Sequence, residues 1–180
     1  MSRTQVNQNK APFCRGFAPI IGQKPRVLIL GTMPSVASLS AGFYYGHPRN
    51  AFWPIMGDLF QRPVETEAQK RALIENSPFI LWDVLQACER VGSLDSAIQH
   101  PQANDFSVLL QQYPRIRVVV FNGQKACQLF QKHVLKKQLL PEEVIQDWVF
   151  WSLPSTSPAN ARMNFQHKKD AWQAKLAQFL

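Results

Sequence analysis

Cysteine is scarce: Cys14, Cys88 and Cys127 are the only three in 180 residues, odd in number and scattered. They neither staple a secreted scaffold nor supply a zinc spacing, and a reducing compartment fits them best. The four histidines, His47, His100, His133 and His167, also lack metal-ligand spacing, so no metal and no cofactor is expected. No apolar run is long enough to cross a bilayer, and the opening MSRTQVNQNK has no apolar signal-peptide centre. These absences point to a soluble, cytoplasmic protein with no membrane partner. Neither GxGxxG nor GxxxxGKS/T occurs, and GTMPS, from Gly31 to Ser35, is too short and too proline-broken to wrap phosphates in that way. Acidic residues are few, 12 against 20 Lys and Arg, and the net charge of +8 favours a polyanionic partner. Gly 8 and Pro 13 are too few for a low-complexity chain, and 46% apolar content is ordinary for a folded one. The length suits one domain over residues 1–180, monomeric, with residues 1–10 flexible.

What is present begins with a draped apolar segment, Ala11 to Gly22, bounded by Pro and Gly. Val27 to Leu30 is a short β-branched run closed by a Gly-Pro loop, which predicts a buried strand. Phe43 to Phe60 then reads FYYGHPRNAFWPIMGDLF. Its second part, Ala51 to Phe60, has helical spacing, with Pro54 tolerated in the first turn. Thr66 to Ser77 is a second helix, and Phe79 to Val84 is too short for periodicity to separate strand from helix. Val91 to Phe106 reads as a long loop, leading into a helix from about Asn104 to Tyr113 capped by Asn104 or Asp105. Arg117 to Phe121 is the clearest strand, nearly continuous in apolar residues as a central parallel strand is. A helix over Lys125 to Val134, a strand over Asp147 to Leu153 and a closing helix over Arg162 to Leu180 complete the chain. In the last helix Phe165, Trp172, Leu176 and Phe179 form the inward stripe, with Lys168 and Lys169 facing out.

Strands alternating with helices predict a three-layer α/β/α domain. The three clear strands end at Gly31–Ser35, Asn122–Gly123 and Pro154–Pro158, and in a parallel sheet those ends meet in one crevice, where ligands bind. The aromatic loop beside it offers tyrosine faces for a flat ligand, although such rings also fill grooves. Of the carboxylates, Asp58 and Asp83 are candidate bases, each with a surface or capping alternative. The amides and hydroxyls of Asn50, Asn122, Ser155, Thr156, Ser157 and Asn160 carry donors and acceptors that read base edges or position water. Ser157 and Asn160 equally suit caps or turns.

GTMPS, YYGHPRNAFWPIM, FNG after a strand, and LPSTSPANA occur in the order found in the uracil-DNA glycosylase superfamily, and the chain resembles its hypoxanthine (deoxyinosine) branch. The resemblance implies a central four-stranded parallel sheet and a cofactor-free DNA-deoxyinosine glycosylase. Such an enzyme binds single- or double-stranded DNA, flips a deaminated base and hydrolyses its N-glycosidic bond. The superfamily's catalytic Asp or Asn after glycine and a variable residue is here Met33, which cannot activate water. The weight falls on Asn50 and Asn122 as catalytic amides. Thr32, Met33, Tyr45 and His47 would bind the base, with Tyr45 in the stacking position, and Pro34, Ser35, Arg49, Ser155, Thr156, Ser157, Asn160 and Arg162 would hold DNA. Activity on uracil or on G:U and G:T mismatches is an alternative, as are a DNA-binding repair protein of weakened turnover and an unrelated small-molecule hydrolase.

Overall fold

The apolar run entering Gly31 is the middle strand of the main sheet in the computed structural model, which describes residues 11–180. The expectation for residues 1–10 lies outside the described residues. This strand, Val27–Gly31, is β3 in an element order that begins with β1 (Phe13–Arg15) and β2 (Ile20–Ile21). Its side chains Val27, Leu28, Ile29 and Leu30 are fully buried, each branched side chain contributing about 1.5–3 kcal/mol by leaving water. A run apolar on both faces suits a strand covered by helices on both sides. Here β3 pairs in parallel with β4 (Phe79–Asp83) and β7 (Val118–Asn122), and β7 pairs in parallel with β8 (Val149–Leu153).

The expected four-stranded parallel sheet needs correction. The sheet is five-stranded and mixed, in the order β2-β4-β3-β7-β8, because Ile20–Ile21 adds an antiparallel edge to β4. A second, three-stranded antiparallel sheet joins β1, β5 (Leu85–Glu89) and β6 (Gln99–Ala103). The draped segment is therefore two short strands, and part of the expected 91–106 loop is β6, preceded by a 3-10 turn at Asp95–Ala97. Polar composition hid β6: QHPQA has no apolar alternation and contains a proline.

Helices α2 (Phe52–Phe60) and α7 (Phe165–Leu176) cover one face, where Phe60 meets Phe79 edge-on and Phe52 meets Trp172. On the other face α4 (Phe106–Gln112) and α5 (Gln124–Phe130) pack through Phe106, Phe130 and Phe121. A π-turn at Gln131–Leu135 extends α5. Helix α3 (Glu67–Glu75) starts in a capping box made by Thr66 and Gln69 and packs against β2 and β4. Two short helices were not expected, α1 (Val36–Ala41), capped by the Ser35 side chain, and α6 (Glu142–Ile145). Helix α7 starts at the Asn164 cap, not at Arg162, and Phe165, expected in the inward stripe, lies at its very first position and is 43% exposed. Lys168, expected outside, is only 5% exposed. Among the described residues no helix is long and apolar enough to cross a membrane.

Candidate active site

A cavity of about 330 Å³ opens where the carboxyl ends of β3, β4, β7 and β8 lie side by side. Thr32, Met33, Pro34 and Ser35 form one wall, Tyr45 and Asn50 a second, and Asn122 with Ser155, Thr156, Ser157 and Asn160 a third. His47, Arg49 and Arg162 are not in the lining. The His47 Nδ1 accepts from the Arg49 backbone N–H at 3.1 Å, folding the turn before Asn50, while Arg49 and Arg162 are exposed. Asp58 stands apart as well, in an ion pair with Lys169 at 2.7 Å.

Each wall is fixed by side chains bonding to loop backbone. Ser35 Oγ accepts from the Ser38 N–H at 3.1 Å and lies 3.0 Å from the Ser38 hydroxyl, whose oxygen accepts from the Gly46 N–H at 3.0 Å. The loop after β3 is thereby tied to the tyrosine loop. Asn50 Oδ1 accepts from the Phe52 N–H at 2.9 Å at the start of α2, and its Nδ2 has no partner among the described residues. Asn122 is held more tightly: Nδ2 donates to Thr156 Oγ1 and Oδ1 accepts from the Thr156 N–H, both at 2.8 Å. One amide proton and one oxygen lone pair remain for a ligand. A β-carbon at Gly123 would press on Ser155, so glycine there lets the ends of β7 and β8 close together. Behind the third wall the Lys168 ammonium donates to the Ser157 carbonyl at 3.1 Å and the Trp172 indole to the Pro154 carbonyl at 2.9 Å.

Tyr45 stacks on Phe52 with ring centroids 4.1 Å apart, which covers one of its faces. Its φ of 52° puts a bulky residue in the left-handed region, a strain of about 1–3 kcal/mol of the kind that gathers at functional sites. The hydroxyl is buried with no hydrogen-bond partner. The Asn122 amide lies near enough to ease its ionisation without bonding to it, while burial, then Asp83, push the phenol pKa up.

Asp83 completes the back of the cavity at 4% exposure. It is the cross-strand partner of Gly31, where a β-carbon would collide with the carboxylate. Its Oδ2 has no partner, and burial, then the charge of Asp95, raise its pKa to about 7 against the pull of Arg90. Asp95, Arg90 and Leu94 were not singled out from the sequence. Asp95 accepts from the Thr32 hydroxyl at 3.0 Å and is itself pushed up by burial. Arg90, 1% exposed, donates through Nη2 to the Pro34 carbonyl and leaves Nε and Nη1 unpaired. A charged residue closing the apolar run FILWD was the available signal for Asp83; the other three sit in a loop with no pattern of their own.

Residues 19–176 match the family profile of the uracil DNA glycosylase superfamily. The chain belongs to that superfamily. It is 33% identical over 162 residues to a hypoxanthine DNA glycosylase of Methanosarcina acetivorans, an alignment covering 89% of this chain and 96% of that protein. A hypoxanthine DNA glycosylase of Methanosarcina barkeri is 34% identical over 114 residues, covering 62% of this chain and 72% of the other. A Methanosarcina acetivorans protein solved by solution NMR superposes with a TM-score of 0.74 at 31% identity, over 93% of this chain and 99% of that one.

Proposed function

We propose that this chain is a monofunctional DNA glycosylase that hydrolyses the N-glycosidic bond of hypoxanthine in DNA and leaves an abasic site. The carrying observation is a cavity at the small end of the ligand-site range, about 300–1,000 Å³, walled by two asparagine amides and a tyrosine ring. Its placement in a chain that aligns with a hypoxanthine DNA glycosylase over 89% of its length supports the same chemistry.

Chemistry on a base within a duplex requires the nucleotide to be turned out into a snug pocket. The net charge of +8 attracts the phosphate backbone, and the 155–160 loop, braced by Lys168 and Trp172, offers hydroxyl and amide groups to it. Inside, Tyr45 supplies an aromatic surface, and Thr32 and Asn122 supply polar groups for the base edge. Asn50, anchored by its Oδ1 to the start of α2, positions the water that attacks the sugar. An amide barely deprotonates water, and Met33 does not do so at all. Bond cleavage therefore runs ahead of water attack, and stabilising the departing base is the main catalytic demand.

The test is an oligonucleotide panel carrying hypoxanthine, uracil or xanthine, incubated with the full chain in chelator and then cleaved by alkali at abasic sites. Cleavage of the hypoxanthine strand is expected. Release of uracil alone would replace the substrate assignment, and no release from any strand would reject glycosylase activity.

A further inference from the structure

The proposed reaction leaves two carboxyl groups of the cavity lining, Asp83 and Asp95, unused. Asp83 lies at the end of β4, almost wholly buried, and its Oδ2 has no partner although the side chain lines the cavity. A buried carboxylate without a partner costs several kcal/mol unless it holds a proton. Its surroundings favour that proton. Asp95, from the 3-10 turn, opposes a second negative charge, and the tyrosine loop supplies only the hydroxyls of Tyr44 and Tyr45, themselves made harder to ionise by burial first and then by Asp83. Arg90, following β5, pulls the other way but forms no ion pair with Asp83; its Nη2 is committed to the Pro34 carbonyl. Lys125 of α5 acts on Asp95. On β3, opposite Asp83, Gly31 lets the carboxyl approach without a side chain between them.

We propose that Asp83 is a general acid in the excision, delivering the proton on its carboxyl to a ring nitrogen of the flipped purine as the sugar–base bond breaks. This inference rests on the glycosylase reading above. The Asp83 O–H bond breaks and its proton joins N7 or N3 of the purine, while the electron pair of the C1′–N9 bond stays with N9. The base leaves as a neutral tautomer, and the sugar is left as an oxocarbenium ion. Water held by Asn50 adds its oxygen to C1′ and releases a proton to solvent, from which Asp83 is reprotonated. The ionised form of Asp83 would repel the same departing base. Burial thus keeps the acid in its useful state near neutral pH, where the balance of protonated fraction and proton-transfer driving force is best.

The experiment is single-turnover release of hypoxanthine from duplex DNA by the full chain, followed from about pH 5.5 to about pH 9 for the parent, Asp83→Asn and Asp95→Asn. The parent rate should fall as pH rises through the neutral range. Asp83→Asn should lose about 10²–10⁴-fold, the range for a general acid, and should lose that pH limb, while binding a non-cleavable abasic-site duplex as the parent does. Asp95→Asn removes the charge that adds to burial in holding the Asp83 proton, so the limb should move to lower pH. A purely structural Asp83 would not produce that shift, and the Asp95 variant keeps the test decisive if Asp83→Asn folds poorly. A parent that releases hypoxanthine with a flat profile, an unmoved limb in Asp95→Asn, or parental kinetics in Asp83→Asn each overturns the inference and leaves the glycosylase reading standing. A parent that releases no hypoxanthine overturns both.

Discussion

The same buried carboxyl makes a prediction that needs no DNA. Asp83 has a raised pKa of about 7 in the folded chain, caused first by burial and then by Asp95, against an ordinary carboxyl value near 3.8 when unfolded. Between those values the folded state holds a proton that the unfolded state has lost. Stability is therefore full below the unfolded pKa and falls as pH rises to the folded one. The separation of about 3 pH units corresponds to about 4 kcal/mol at most. About 1.6 kcal/mol is already lost at pH 5, so raising the pH from about 5 to about 8.5 costs about 3 kcal/mol through this residue. Asp83→Asn abolishes that term. The new amide lacks a partner as Oδ2 did, at about 1–3 kcal/mol, but at every pH alike.

The observable is the difference in unfolding free energy between variant and parent at each pH, from urea titrations with the slope held common. It should change in favour of the variant by about 3 kcal/mol over that range. For a chain of this size that is about 6–12 °C in Tm. Asp95 is also pushed up by burial, so its own contribution falls in the same direction as pH rises, but Asp95 is present in both proteins and that contribution drops out of the difference. A difference that stays constant from pH 5 to 8.5 would refute the account of a protonated Asp83. Stabilisation at high pH together with lost excision would mark the residue as one whose placement costs stability for function.

Asn50→Ala should lower single-turnover excision by about 10²–10³-fold, as removal of one transition-state contact does; rates within a few-fold of the parent would move the water-positioning role elsewhere. The Phe52 N–H also loses its acceptor in that variant, so Tm should fall by the equivalent of about 0.5–2 kcal/mol. Tyr45→Phe deletes a buried hydroxyl without a partner and should melt at or above the parent temperature with excision retained; a marked loss of rate would show that the hydroxyl meets the substrate. Lys168→Met removes the donor behind the Ser157 carbonyl and should weaken affinity for an abasic-site duplex several-fold in anisotropy titrations, at little cost to Tm. Unchanged affinity would free the 155–160 loop from dependence on that brace.

What could be read from the sequence divides along the two sheets. Strands β3 and β7 announce themselves because a strand covered on both faces needs a local run of apolar residues, and β8, a largely exposed edge strand, is legible from its run VFW before the turn at Pro154. Once three ends are assigned to one parallel sheet, their meeting follows from topology, and Thr32, Met33, Asn122 and Thr156 come together as expected. The second sheet left no comparable trace. A single residue, Val84, separates β4 from β5, so the chain passes from one sheet to the other without a loop. The β5 strand then pairs with β1 about seventy residues earlier, through Cys14 opposite Cys88, and with the polar strand β6. Pairings of that kind are properties of the fold and not of any window of sequence. They carry Arg90 to the Pro34 carbonyl and hold the turn containing Asp95 against Thr32. The parallel sheet thus presents the groups that were legible, Asn122 among them, while the antiparallel sheet sets the electrostatic surroundings of Asp83. Asp83, legible in the sequence only as a candidate base at the end of FILWD, is pushed toward its protonated form by burial at the end of β4 and then by Asp95, which a sheet that the local sequence does not reveal holds nearby.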